Sequence, residues 1–254
     1  MRRILEPPYF ELVLSQGESP GPYVFTCEHA TDDFGTQPIE AENRNLLGTH
    51  WAVDIGAAAL TRALARSTNS IAVLSTYSRL LLDSNRCLES KTLFVDQVES
   101  QVVECNRNLS EAERQHRIEY LHAGYHTGVA QTLANRVAQG PCLLVSMHSF
   151  TPVWNAHHRS VEIGVLFDDH EALAHHVIER LSTLGFDARA NEPYSGMSGE
   201  LMYAATLHGN QHGIPYIEFE VRQDLISTPD GIERIMDAIN TALESISTHF
   251  NLTS

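Results

Sequence analysis

Short apolar runs alternate along the 254-residue chain with longer stretches in which apolar residues recur every three or four positions. The short runs predict strands, and they occupy residues 23–29, 70–83, 141–149, 161–169, 186–191 and 213–225. The longer stretches predict helices, and they occupy residues 49–67, 109–140, 170–185 and 231–250. Strands that alternate with helices in this way are typical of a three-layer α/β sandwich with a mostly parallel mixed sheet.

Capping signals mark the ends of the first two helices. Thr49 is suited to cap the N-terminus of the first helix. Ser110 and Glu113 have the spacing of a capping box at the start of the second, and Gly140 fits its end. Because no internal repeat or low-complexity tract divides the chain, we expect one α/β domain over residues 1–254.

Polar residues follow the apolar part of several predicted strands. The carboxyl ends of parallel strands share one edge of a sheet, where α/β proteins bind ligands. These residues are therefore expected to lie near a common cleft. They are Glu28 and His29 after the first strand, Arg79, Asp83, Asn85 and Arg86 after the second, His148 in the third, and Glu218, Glu220, Arg222 and Asp224 in the last.

Composition narrows the classes of partner. The formal net charge is −15, and such an acidic chain lacks the basic surface that nucleic acids and anionic membranes require. Lys91 is the only lysine, which excludes most lysine chemistry, including a P-loop. An anion site must then use arginine, histidine or backbone amides, and the planar guanidinium of arginine suits a carboxylate.

Cysteine spacing and hydropathy bear on the compartment. The four cysteines, Cys27, Cys87, Cys105 and Cys142, form no C-x-x-C pair. No stretch approaches the roughly 20 apolar residues of a membrane helix, and the first residues lack the apolar core of a signal peptide. We therefore expect a cytoplasmic protein with reduced thiols.

The strand-end histidines and arginines each allow two interpretations. His29 and His148, with carboxylates nearby, have the residue types of a zinc site, and the alternative for each is an ordinary surface or hydrogen-bonded histidine. Arg79 and Arg86 either pair with Asp83 and surface acids or point together at an anionic ligand.

Seven segments resemble the N-formylglutamate amidohydrolase family, and together they extend from about Tyr23 to Ile226. They are TCEHATDDFG, HWAVDIGAA, YSRLLLDSNR, SMHSFTP, EIGVLFD, PYSG and IEFEVRQDLI. The family is similar to the zinc carboxypeptidase and aspartoacylase fold. This resemblance implies a zinc ion held by two histidines and an acid, an Asn-Arg pair that grips the substrate carboxylate, and a late catalytic glutamate.

By this resemblance His29 and His148 are the histidine ligands of the metal. Three candidates remain for the acidic ligand. Asp54 matches an aspartate of the family pattern and would lie on an apolar helix face, where a buried carboxylate needs a partner. Asp32 has the His-x-x-acid spacing of the related enzymes, and Glu28 should point to the opposite face of its strand from His29. We favour Asp54.

The resemblance also assigns the remaining roles. Asn85 and Arg86 would grip the substrate carboxylate, and Arg79 would support the substrate or its developing oxyanion. Glu220 would carry protons, although Glu218 lies two residues earlier and faces the same side of the strand.

The expected activity is hydrolysis, by zinc or another divalent ion, of the amide bond in a small N-formyl or N-acyl amino acid such as N-formylglutamate. The segment CEHATDDFG departs from the family's PHSG-like segment, so a different N-acyl amino acid stays open. The alternatives are a non-catalytic carboxylate-binding protein of the same fold and a peptidase acting on short peptides. We expect no nucleic-acid or membrane partner, and a monomer or a homo-oligomer.

Overall fold

The computed structural model describes residues 8–17, 19–35, 39 and 41–249. Its strands are β1 (Phe10–Val13), β2 (Tyr23–Cys27), β3 (Ile71–Ser75), β4 (Gln97–Val98), β5 (Gln101–Val102), β6 (Leu143–Phe150), β7 (Val153–Trp154), β8 (His157–His158), β9 (Ile163–Leu166), β10 (Ala188–Ala190) and β11 (Tyr216–Arg222). Its α-helices are α1 (Ala57–Ser67), α2 (Glu111–Arg117), α3 (Ala123–Val137), α4 (Glu171–Thr183), α5 (Tyr203–His212) and α6 (Pro229–His249).

Seven strands form a mixed sheet in the order β1-β3-β2-β6-β11-β9-β10. The four strands β3, β2, β6 and β11 run parallel to one another. At one edge β1 is antiparallel to β3, and at the other β9 is antiparallel to β11 and parallel to β10. The predicted mostly parallel mixed sheet is therefore confirmed.

Helices cover both faces of the sheet and give the three layers that the sequence predicts. Helices α1, α4 and α6 pack on one face, and α3 and α5 pack on the other. Successive residues of β2 alternate between the two cores, with Phe25 facing the first group of helices and Val24 the second. No helix in the described residues combines the length and apolar character needed to cross a membrane.

The first helix begins later than its sequence predicts. It starts at Ala57, so the expected N-cap at Thr49 is wrong, and Asp54 lies in the turn before the helix rather than on an apolar helix face. Gly56 precedes the helix with a φ of 82°, a conformation that costs glycine little. A side chain there would collide with the carbonyl oxygen of Ile226, so the close packing of this turn also requires glycine.

The long second helix is present in two parts. The capping box of Ser110 and Glu113 is confirmed at the start of α2. A π-helical turn over Ile118–His122 then joins α2 to α3, which ends near the predicted stop at Gly140.

Helix α5 was missed, because His208 and its neighbours read as a loop. Close packing of Gly209 against the ring of Tyr216 holds this helix on the sheet.

The segment after β3 also differs from the prediction. The strand stops at Ser75, and Leu80–Leu82 lie buried in an irregular loop rather than in the strand predicted over residues 70–83. Side chains take the place of strand partners, since Asn106 donates to the carbonyl of Leu80 at 2.7 Å and Arg117 to that of Leu81 at 2.9 Å. This loop carries the chain to Asp83 and Arg86.

Candidate metal centre and active site

One face of the sheet changes from apolar to polar toward the carboxyl ends of its strands. The residues that face α3 and α5 follow the same progression on three neighbouring strands: Val24, Thr26 and then Glu28 on and after β2; Leu144, Ser146 and His148 on β6; and Tyr216, Glu218 and Glu220 on β11. The register places Glu220 opposite His148. The polar residues are buried, so they need partners inside the protein.

His29, Asp54 and His148 converge at this end of the sheet. One ligand atom from each lies within 4.8 Å of the other two, and all three residues are buried. Asp54 Oδ2 is 3.3 Å from His29 Nδ1 and 2.8 Å from His148 Nδ1. Two imidazole nitrogens and a carboxylate oxygen form a donor set typical of catalytic zinc, so these residues fit a divalent ion.

The structure separates the three candidate acids. The backbone amide of Asp54 donates to the carbonyl oxygen of His29 at 3.0 Å, which ties the turn before α1 to the end of β2. The carboxylate of Asp32 instead accepts from the amide of Gly48 at 2.7 Å, a loop-fixing contact. Glu28 lies on the far side of His148 from Asp54 and is not one of the three converging residues.

The outer nitrogen of each imidazole, Nε2, contacts a further carboxylate, a different one for each ring. Asp83 Oδ1 is 2.7 Å from His29 Nε2, and Glu28 Oε2 is 3.1 Å from His148 Nε2. These contacts orient both rings so that their Nδ1 atoms face Asp54, which is the arrangement that fixes metal-binding histidines. The sequence identified Asp83 only as a partner for the arginines and gave no sign of its contact with His29.

Burial and charge set the protonation of this group. Burial raises the pKa of Glu28, but the hydrogen bond and charge of His148 outweigh it and lower that pKa to about 2. Tyr125 and Ser146 also donate to the Glu28 carboxylate, at 2.8 and 2.9 Å. Burial lowers the pKa of His148, but the Glu218, Asp54 and Glu28 carboxylates raise it well above its usual value. The carboxylates that surround the two histidines therefore favour a cation between the two rings.

The two arginines have different surroundings. Arg79 donates to Asp83 Oδ2 at 2.8 Å and lies 3.5 Å from Asp54 Oδ1, so its charge is shared with two carboxylates. Arg86 donates to Thr92 Oγ1 at 3.1 Å and to the carbonyl of Asn85 at 2.7 Å. In the part of the chain that the structure describes, Arg86 pairs with no carboxylate.

Asn85 uses its amide within the protein. Its Nδ2 donates to the carbonyl of Leu201 at 2.8 Å, and its Oδ1 accepts from the amide of Ala204 at 3.0 Å. These bonds hold the start of α5 beside the site.

The two glutamates of β11 differ in position. Glu220 lines a cavity of about 470 Å3 together with the three converging residues and both arginines, whereas Glu218 lies deeper beside Ser146. Burial raises the pKa of Glu218 to about 7. Burial, with the charges of Asp54 and Glu218, also raises the pKa of Glu220 well above its usual value, although His148 opposes this. Of the two, Glu220 is the one exposed to a ligand in the cavity.

Three buried histidines support the loop that carries Arg86, and the sequence did not reveal them. His122 Nε2 lies 3.0 Å from the carbonyl of Arg86, and His126 Nε2 lies 3.0 Å from that of Ser84. His126 Nδ1 lies 2.9 Å from His208 Nε2. The four-residue spacing of His122 and His126 in a predicted helix was a signal that both share one face.

The fold and this site define an α/β protein with a candidate metal centre at the carboxyl ends of parallel strands. The chain matches the family model for N-formylglutamate amidohydrolase over residues 21–227 and belongs to that family. The family resemblance of its sequence motifs is thus confirmed, and membership supports a hydrolase acting on amide bonds.

Solved structures agree with this assignment. The gene product Atu2144 from Agrobacterium tumefaciens is 29% identical, with a TM-score of 0.87 over 96% of this chain and 100% of that one. The N-formylglutamate amidohydrolase from Ralstonia eutropha JMP134 is 18% identical and shares the fold, with a TM-score of 0.69 over 94% of this chain and 97% of that one. A search of curated proteins found no significant match.

Proposed function

We propose that this protein is a metal-dependent amidohydrolase that cleaves the amide bond of an N-formyl or N-acyl amino acid. The observation that carries the proposal is the convergence of His29, Asp54 and His148 on the cavity that also exposes Arg86 and Glu220. Membership of the N-formylglutamate amidohydrolase family supports the same reaction class.

The metal would be held by His29 Nδ1, His148 Nδ1 and the Asp54 carboxylate. Zinc is the ion that this donor set suits best. When bound, such an ion lowers the pKa of a coordinated water and polarises the substrate carbonyl. Asp83 and Glu28 would keep the two imidazoles in place, since each accepts from the outer nitrogen of one ring.

Glu220 would accept the proton of the attacking water at its carboxylate and then pass it to the leaving amine. One oxygen of this carboxylate, Oε2, is buried and makes no hydrogen bond with any described residue. The raised pKa of Glu220 increases its proton affinity, which suits a group that must both take up and release a proton.

The arginines would bind the substrate at two points. Arg79, held by Asp83 and Asp54, would stabilise negative charge on the carbonyl oxygen. Arg86 would bind the substrate carboxylate, because its guanidinium pairs with no described carboxylate and lines the cavity. Asn85 would assist by fixing the loop and the start of α5.

The test is hydrolysis of N-formyl and N-acetyl amino acids, N-formylglutamate included, by protein whose metal content is measured. We expect amine release that a chelator abolishes and zinc restores. Arg86→Ala should raise KM with a smaller effect on kcat, whereas Arg66→Ala on the exposed side of α1 should change neither. Metal-loaded protein that hydrolyses no member of the panel would refute the proposal.

A further inference from the structure

We propose that the cavity contains an aromatic subsite formed by His50, Trp51 and Trp154, and that it selects a substrate with one carboxylate and an aromatic group. This inference rests on the proposed amidohydrolase function and names its substrate class. The aromatic group belongs either to the amino acid side chain or to the acyl group of the substrate. In both cases an aromatic ring contacts the subsite.

The three rings form a continuous wall of the cavity. The ring centroids are 4.5 Å apart for His50 and Trp51, 5.7 Å for Trp51 and Trp154, and 6.0 Å for His50 and Trp154. These separations are those of interacting aromatic pairs, which also favour a further ring packed beside them. Burial lowers the pKa of His50, so a neutral imidazole faces the ligand near pH 7.

The guanidinium of Arg159 packs against Trp154 and neighbouring rings and holds this wall of the cavity in place. Trp154 lies on the β7–β8 hairpin, and the guanidinium of Arg159 packs 5.3 Å from the centroid of its ring. The same guanidinium lies 5.6 Å from the Phe150 ring and 5.2 Å from that of Tyr194, and it donates to the Tyr194 hydroxyl at 3.2 Å. Cation–π contacts of this kind fix the hairpin against the sheet. Trp154, which is 39% exposed, is therefore held in place rather than free on the surface.

The charges of the cavity argue against a second substrate carboxylate. Arg79 is shared by Asp54 and Asp83, which leaves Arg86 as the cation without a carboxylate partner among the described lining residues. Glu99 adds a negative charge to the lining. A glutamate side chain would thus meet aromatic rings and the like charge of Glu99. The other guanidinium near the wall, that of Arg159, is already engaged with the rings of Phe150, Trp154 and Tyr194 and with the Tyr194 hydroxyl.

The cavity also has room for a larger group than formyl. Its volume of about 470 Å3 lies within the range of roughly 300–1,000 Å3 that is typical of small-molecule sites. An aromatic ring buried against Trp51 and Trp154 would contribute binding energy that a methyl side chain cannot.

The experiment compares kcat/KM of metal-loaded protein for N-acetylphenylalanine, N-benzoylalanine, N-acetylalanine and N-formylglutamate. We expect one of the two aromatic compounds to exceed N-acetylalanine by about 10–100-fold, the range that an added apolar group supplies in a pocket. Which of them does so assigns the aromatic group to the side chain or to the acyl group. Trp154→Ala should lower kcat/KM for that aromatic compound about tenfold more than for N-acetylalanine, and Trp154→Phe should restore most of the preference. Val153→Ala on the same hairpin is the matched control.

The outcomes separate this inference from the proposed function. If N-acetylalanine or N-formylglutamate is hydrolysed as well as both aromatic compounds, the subsite is refuted while the amidohydrolase function stands. Equal loss for aromatic and small substrates in Trp154→Ala would show a structural role and also refute the subsite. If nothing is hydrolysed, the proposed function fails, and calorimetric binding of the same four compounds decides the subsite. Tighter binding of an aromatic compound would then support it, and equal binding would overturn it.

Discussion

Mild acid is expected to destabilise the fold through the histidines beneath the Arg86 loop. His126 Nε2 must donate to the carbonyl of Ser84, so its Nδ1 accepts from the Nε2–H of His208. This tautomer leaves His208 Nδ1 buried, without a hydrogen and without a partner among the described residues. A second proton on either ring would find no acceptor, and we therefore expect both rings to stay neutral in the folded state.

The pKa values give the size of the effect. Burial, with the charges of nearby histidines, lowers the pKa of His126 to about 3, and burial with those of His212 and His122 lowers that of His208 to about 4 although Glu28 opposes it. The unfolded chain takes up these protons near pH 6.5, about the ordinary pKa of histidine. As the pH falls below that value, each histidine lowers the free energy of unfolding by about 1.4 kcal/mol per pH unit, until its folded pKa is reached.

The variant His208→Gln isolates this contribution. Its amide keeps a donor toward His126 Nδ1 but does not titrate. Urea unfolding of wild type and variant at about pH 7.5 and pH 5.0 gives four free energies of unfolding. Between these two pH values the contribution of His208 to the free energy of unfolding falls by about 2 kcal/mol. Acidification should therefore cost the variant about 2 kcal/mol less than wild type. The other titrating groups are common to both proteins. The pKa of His126, about 3, depends in part on His208, but it lies far enough below pH 5.0 that folded His126 stays neutral in both proteins, so these contributions cancel.

The control is Asn210→Gln, at an exposed position of the same helix α5, because it changes no titrating group. It should leave the pH dependence as in wild type. Identical pH dependence for wild type and His208→Gln would mean that folded His208 accepts a proton as readily as the unfolded chain does, and the reasoning from burial and tautomers would be wrong.

Three further predictions test the site and its support. Glu220→Gln should lower kcat about 10²–10⁴-fold at unchanged metal content, because the amide cannot carry a proton; steady-state kinetics with elemental analysis measures this, and an unchanged kcat contradicts it. Asp83→Asn should weaken the hold on the His29 ring and reduce metal affinity about 10–100-fold in competition with a chromophoric chelator, and equal affinity would remove Asp83 from the metal centre. Gly164→Ala should lower the free energy of unfolding by about 1–3 kcal/mol, since the added methyl group would collide with the carbonyl oxygen of Glu192; unaltered urea unfolding would show that this strand has room.

The strands that are buried on both faces of the sheet were predictable from the sequence, because burial alone decides their apolar pattern. Strands β2, β6 and β11 are mostly apolar because helices cover both faces of the sheet. The capping box of α2 was equally clear, since its bonds join residues three positions apart.

Elements that depend on distant packing were not predictable. Helix α1 begins only after Gly56, at Ala57, because the turn at Gly56 packs against Ile226, about 170 residues away in the chain. Leu80–Leu82 have the apolar pattern of a strand, yet Asn106 and Arg117 satisfy their backbone and keep them in a loop. Local pattern cannot show which distant groups will supply such bonds.

The sequence by itself determined which side chains stand toward the carboxyl ends of β2, β6 and β11, because an apolar run that gives way to polar residues marks that end directly. It therefore brought His29, His148 and Glu220 into consideration as a group. Only the tertiary structure decided that Asp54, rather than Asp32 or Glu28, joins the two histidines. The reason is physical: the distance between two ligand atoms depends on how a turn from one segment packs against a strand from another, and that packing follows from the whole core.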